Sequence, residues 1–317
     1  VDEFDLIARY FQPLAFAAPG LELGIGDDAA IFTLPPGEAL VVTVDTLVEG
    51  VHFPVDFPPA AVASRLAAVN LSDLAAMGAT PRYATLALTL PQVEPDWLAA
   101  FADALGVALA AAGMSLVGGD TTRGPLTLTL QAMGSVPVGQ ALTRGGARPG
   151  DLVVVSGTLG DARAGLDLAL ATPWADADDP LLARFVAPTP RVALGCALRG
   201  VARAAIDVSD GLLADLGHIA ARSRCGARVD VGRLPLSAAL RARVGLATAR
   251  EFALAGGDDY ELVLAVPPDR LAEAAQRARG AGVSLTVIGE FVAGAGVECH
   301  DAGQAFVPAA RGYLHFE

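Results

Sequence analysis

The segment "AAIDVSDGLLADLGHIAARS", residues 204–223, runs from a short apolar strand through an acidic turn into a helix. The same order of elements recurs on both sides of it. Toward the N-terminus, "ALVVTVD" (39–45) reads as a buried strand ending in Asp45, and "PAAVASRLAAVNLSDLAAMGA" (59–79) has helical spacing with Pro59 at its first turn. "RYATLALTL" (82–90) is a strand and "EPDWLAAFADALGVALAAAG" (94–113) a helix, followed by the strand "MSLVGGD" closing on Asp120 and the strand "PLTLTLQAMGSV" (125–136). Later come the strand "DLVVVSG" (151–157), the turn "TLGDARAG" leading into a helix, "GGDDYELVLAV" (256–266) as an acidic turn feeding a strand, and the strand "VSLTVIGEF" (283–291).

Both halves therefore mix helices and strands, which predicts an α/β fold built as two sandwiches. Residues 137–150, "PVGQALTRGGARPG", are rich in Gly, Pro and Arg and poor in apolar anchors. They divide the chain into an N-terminal domain (1–137), a junction (138–150) and a C-terminal domain (151–317). A length of 317 residues with 53% apolar content agrees with two cores.

Charge and composition exclude whole classes of function. The net charge of -13 argues against a nucleic-acid binder. All 22 basic residues are arginine, so lysine Schiff bases, pyridoxal phosphate anchoring and the lysine P-loop are absent. Phosphate handling would fall to arginine, backbone amides and metal. Cys196, Cys225 and Cys299 lack C-x-x-C spacing and fit a reducing cytoplasm. The acidic start "VDEFDLIARY" predicts no signal peptide, and the uncharged stretch 124–143 carries two prolines and "LTLTL", so it reads as strand and turn.

Six acidic turns carry the chemistry: "GDDAA" (26–30), "TVDT" (43–46), "NLSDL" (70–74), "GGDTT" (118–122), "DVSDGL" (207–212) and "GGDDYEL" (256–262). Each reads as a strand end or helix start. Any one of them is most simply a cap or turn aspartate. Six together predict carboxylates that converge, and their mutual repulsion demands cations. Oxygen-only ligands select a hard ion, Mg²⁺ or Ca²⁺, over zinc, and the missing EF-hand spacing leaves an ordinary calcium module unsupported. Glycines in these turns would let backbone amides approach phosphate oxygens.

"GIGDDAA", "VTVDTLVEGVHF", "AVNLSDLAAMGA", "LVGGDTT", "VSGTLGDARAGL", "DVSDGLLADL", "GGDDYEL" and "GYLHF" occur in the order in which they occur in thiamine-monophosphate kinases, and the chain resembles that family from about residue 4 to 316. The resemblance implies the two-domain fold shared with aminoimidazole ribonucleotide synthetase. It implies phosphorylation of thiamine monophosphate by ATP with several Mg²⁺ ions, in a homodimer paired through its N-terminal sheets.

Carried over by residue, the resemblance implies metal ligation by Asp28, Thr43, the Val44 backbone, Asp45, Asp73, Asp120, Asp207 and Asp210. It places ATP against Gly119, Asp120, Arg144 and Ser209, thiamine monophosphate against His52, Asp258 and Tyr313, and catalysis on Asp210 and Arg144. Asp258 and Tyr313 stand where the family usually has Glu and Trp. The attacking oxygen would belong to the substrate's own phosphate, whose second pKa of about 6 leaves it deprotonated near neutrality, so no general base is needed. Two other readings compete: a sister enzyme of the selenophosphate or aminoimidazole ribonucleotide synthetase type, and a divalent-cation-binding protein without turnover. On residue type alone Trp97 and Trp174 are packing residues, and Asp176, Asp178 and Asp179 belong to a solvated loop.

Overall fold

The computed structural model describes residues 3–171 and 179–313. The readings of Trp174, Asp176, Asp178 and the last residues of "GYLHF" lie outside the described residues. By contact density the chain divides into two compact units. One comprises Val1–Leu74 with Ala79–Gly139, the other Ala75–Gly78 with Gln140–Glu317.

The first unit opens with a short helix α1 (Glu3–Leu6) and a small antiparallel pair, β1 (Leu21–Leu23) and β2 (Ile31–Phe32). Its main sheet contains β3 (Glu38–Val48), β4 (Thr80–Leu90), β5 (Ser115–Arg123) and β6 (Thr127–Pro137) in the order β3-β6-β4-β5. Only the β4–β5 pair is parallel. Two helices accompany it, α2 (Pro59–Ala76) and α3 (Pro95–Ala111), each starting on a proline suited to the first turn. One face of the sheet buries Leu86, Leu88, Leu128 and Leu130, and the helices bury Leu66, Leu74, Leu98 and Phe101. Trp97 stacks on Phe101 with ring centroids 5.2 Å apart, a packing role. On the other face Tyr83, Val117 and Met133 form a small cluster with Leu21, Ala30 and Phe32, so β1 and β2 cover only that corner.

Strand β3 differs from the expected buried strand. It continues past Asp45 to Val48, and its residues alternate between half-buried and exposed. Leu40, Val42 and Val44 are 44%, 49% and 55% exposed. The apolar run is real, but every second residue projects from the uncovered face of an outer strand. Strand β5 likewise runs through Asp120 to Arg123, because Thr121 and Thr122 continue the parallel ladder with β4. Asp73, read as a turn residue, lies inside α2.

The second unit holds a seven-stranded sheet. Its strands are β7 (Leu152–Ser156), β8 (Ala204–Asp207), β9 (Gly226–Asp230), β10 (Leu262–Val266), β11 (Leu285–Val292), β12 (Gly296–Asp301) and β13 (Gln304–Phe306), in the order β13-β12-β9-β11-β7-β10-β8. Helices α4 (Asp161–Ala171), α5 (Pro180–Val186), α6 (Val192–Ala197), α7 (Leu212–Ser223), α8 (Ala238–Ala255) and α9 (Leu271–Gly280) complete it. One core joins Val153, Val155, Ile206 and Val263 to Leu212, Leu216 and Ile219 of α7. Another joins Val154, Ala205, Leu262 and Leu264 to Leu194 of α6 and to Ala274 and Ala278 of α9. Strands β7, β8 and β10 are thus covered on both faces, which explains why they read as unbroken apolar runs. Asp179 caps α5 by accepting from the amides of Leu181 and Leu182 at 2.8 and 3.4 Å.

Candidate active site

In the first unit β3 and α2 bring three of the expected metal residues together. Thr43 and Asp45 alternate onto the same face of β3. The Thr43 hydroxyl donates to the Asp73 carboxylate, and the Asp45 amide donates to Asn70 Oδ1 at 3.2 Å. Asn70, wholly buried one helical turn before Asp73, is fixed by donating Nδ2 to the Leu66 carbonyl at 3.0 Å. Burial, and then the neighbouring Asp73 charge, push Asp45 up to about 6.

Among the described residues no three His, Cys, Asp or Glu side chains close on one point. Two carboxylates and a hydroxyl facing one another nevertheless suit Mg²⁺, which is held by one or two carboxylates and fills its shell with water and phosphate oxygens. The cation and the donor set fit.

Other expected residues of this unit stand apart from that pair. Asp28 is exposed, and its amide donates to Asp27 Oδ1 at 2.9 Å. Asp27 therefore orients its neighbour's backbone. Asp120 pairs with Ala87 in the β4–β5 ladder, one residue out of phase with Gly119, so its side chain leaves the opposite sheet face from Thr43 and Asp45. The Val44 side chain points away in the same manner. His52 accepts the Val48 amide at Nδ1 (3.1 Å) and so closes the turn after β3.

Gly119 has a packing reason of its own, since a Cβ there would lie 2.0 Å from the Leu86 carbonyl oxygen. Gly119→Ala is expected to destabilise the protein by about 1–3 kcal/mol through forced separation of β4 and β5. Urea unfolding of the variant checks this.

In the second unit a set of backbone bonds gathers Ser209, Asp210, Asp258 and Tyr313. The Asp258 amide donates to the Ser209 carbonyl at 2.8 Å, and the Tyr313 amide to the Asp210 carbonyl at 2.9 Å. The Tyr260 amide reaches the Val208 carbonyl and the Val208 amide the Glu261 carbonyl, both at 2.8 Å. Gly257 has to be glycine here: its φ is +68°, and a Cβ would lie 2.6 Å from the Ser209 carbonyl. Asp207 ends β8 and is buried, whereas the Tyr313 ring is half exposed.

Sequence reasoning passed over the residue that organises this loop. The Asp215 carboxylate accepts the amides of Ser209, Asp210 and Gly211 at 3.0, 3.1 and 3.2 Å from the first turn of α7. Burial, then the charges of Asp207 and Asp210, push it up to about 8, while the bonded amides pull the other way. Its signal in the sequence was an aspartate five residues after Asp210, which looks like any first-turn acid.

The Arg144 carbonyl accepts from Ser223 Oγ at 3.3 Å, so its backbone lies at the C-terminal end of α7, about 16 Å along that helix from the end that follows Asp210.

These features are those of a two-unit α/β protein with acidic sites in both units, and the comparisons specify it. Residues 26–136 match the family model for the AIR synthase related protein N-terminal domain, and residues 148–302 match that for its C-terminal domain. Over 318 aligned positions the chain is 48% identical to thiamine-monophosphate kinase of Escherichia coli K12, covering 99% of this chain and 98% of that protein. A crystal structure of thiamine-monophosphate kinase from Stenotrophomonas maltophilia K279a has 49% identity and a TM-score of 0.87, covering 96% of this chain and 98% of that one. The complex of AaThiL with AMPPCP and TMP has 31% identity and a TM-score of 0.77, covering 99% of this chain and 97% of that one. The chain belongs to the thiamine-monophosphate kinase family.

Proposed function

We propose that this chain transfers the γ-phosphoryl group of ATP to the phosphate of thiamine monophosphate, releasing ADP and thiamine diphosphate. The observation that carries the reading is the near-complete alignment at 48% identity with a kinase of that name. The structure of a relative with AMPPCP and TMP supports the pair of substrates. The near-complete alignment favours the kinase over the synthetase and non-turnover readings, which are set aside.

The substrate phosphate attacks the γ-phosphorus through its own oxygen, and the bond from that phosphorus to the β–γ bridging oxygen breaks. Thr43, Asp45 and Asp73 would hold Mg²⁺ in the first unit, and Asp207 and Asp210 in the second. Bound there, Mg²⁺ supplies neutralisation of the two phosphate chains. Ser209 and Asp210 meet the nucleotide on a loop stiffened by Asp215, and His52, Asp258 and Tyr313 meet thiamine monophosphate. Arg144 would meet the phosphates, and Asp28 and Asp120 would hold Mg²⁺ apart from the Asp45–Asp73 pair.

Incubation with ATP, Mg²⁺ and thiamine monophosphate, followed by chromatography, tests the activity. Thiamine diphosphate and ADP should appear in equal amounts, and neither should form from free thiamine or without Mg²⁺. Absence of product despite ATP binding would overturn the reading.

The chain is further proposed to act as a homodimer joined through the open face of β3, a reading supported by the exposure of Leu40, Val42 and Val44 side by side. The double variant Val42→Asp/Val44→Asp should sediment at half the mass of the parent, and an unchanged mass would remove this face from the interface. Three free cysteines support a cytoplasmic setting.

A further inference from the structure

We propose that Asp259 is a positioning residue for the substrate site, locking the 257–260 turn so that it presents Asp258. The inference rests on the reading of Asp258 as a contact of thiamine monophosphate. Asp259 is 1% exposed, and its carboxylate leaves the turn inward, away from solvent. Oδ2 accepts the Gly160 amide at 2.6 Å, and Oδ1 accepts the Ala162 amide at 3.3 Å, both at the N-terminal end of α4. The Asp259 carbonyl accepts from Arg184 Nη2 at 3.0 Å, and the same nitrogen bonds Glu261 at 2.9 Å.

Two observations argue that this acid holds a turn and does more than cap a helix. First, α4 has an acid of its own: Asp161 accepts from the hydroxyls of Thr158 and Ser237, both at 2.6 Å. The amides at 160 and 162 are instead served by a residue almost a hundred positions later, so the bond ties two distant segments. Second, the residues on either side of Asp259 are held in the left-handed region, with φ of +61° at Asp258 and +49° at Tyr260. Side chains rarely adopt that conformation unless the surroundings enforce it.

The enforcement is visible. The amides of Asp258 and Tyr260 are bound to the Ser209 and Val208 carbonyls, while Asp259 between them is pinned from behind. The resulting backbone sets the direction in which Asp258 leaves the chain, and the Tyr260 hydroxyl donates to Asp258 Oδ1 at 3.3 Å.

Asp259→Asn retains one acceptor and the side-chain volume but loses the second acceptor and the charge. It should raise the KM for thiamine monophosphate about tenfold or more while the KM for ATP stays within about twofold. A purely structural role would lower the melting temperature and the active fraction without separating the two constants. Equal changes in both constants, or none, in a folded variant would overturn the proposal. Should Asp259→Asn fail to fold, Arg184→Gln, which frees the Asp259 carbonyl, decides by the same split. Asp258→Asn is measured beside them. A raised KM there with an unaffected Asp259→Asn discards the anchor alone, and an unaffected Asp258→Asn discards the reading of Asp258 together with the anchor.

Discussion

Asp45→Asn is expected to lower kcat by at least about 100-fold while leaving the Mg²⁺-free protein as stable as the parent or more so. The first effect follows from removing one of the two carboxylates that face a common point on β3 and α2. The second follows from electrostatics. In the unfolded chain Asp45 ionises near 3.8, but in the fold burial and Asp73 hold its proton until about pH 6. Across that window the folded state binds more protons, so stability falls as pH rises from about 4 to about 6, by at most about 3 kcal/mol. Asparagine does not titrate and escapes the loss. Steady-state kinetics with Mg²⁺, and urea unfolding in chelator at pH 4 and pH 7, separate the two effects. Retained turnover would end the metal reading. A stability difference that does not change with pH would end the repulsion argument.

Glu261→Ala is expected to cost about 3–5 kcal/mol of folding stability. Glu261 is 0% exposed. Its carboxylate takes a forked pair of bonds from Arg191 through Nε and Nη2, one from Arg184 and one from the Ser156 hydroxyl at 2.5 Å. Losing the acid leaves two guanidinium groups, each about four-fifths buried, facing one another without a counter-charge. The midpoint of urea unfolding reads this directly, and a loss below about 1 kcal/mol would show that water or a neighbouring acid takes over. Because Glu261 follows Asp259 and Tyr260 in the chain, the variant should also blunt activity.

How much of this was legible in the sequence depends on what each residue faces. Strands β7, β8 and β10 were plain because both their faces are covered, so apolar content alone marks them. Strand β3 carries the same kind of residues but borders an open face, and composition does not record which side of a strand has a partner. The family was legible because eight short segments hold their order along the chain. The grouping of Ser209, Asp210, Asp258 and Tyr313 was not, since it depends on amide-to-carbonyl bonds that leave no mark on side-chain identity. Asp215 and Asp259 escaped for a related reason. An acid at a helix start or in a Gly-Gly turn is commonplace, and only burial shows that Asp215 binds the backbone of the turn before it and Asp259 that of a distant segment. Helix α8 was not read from the sequence, and Gly245, at φ +77°, interrupts it midway.

The pleat of β3 has a consequence for how the protein tolerates change. Odd-numbered positions 43 and 45 look toward α2, and even-numbered positions 40, 42 and 44 look outward. Parity thus divides one strand between two tasks. An insertion or deletion of one residue within β3 would exchange them, turning valines toward Asp73 and Asp45 toward the exposed face. Length changes in this strand should therefore be far less tolerated than substitutions, and permitted ones should come in steps of two.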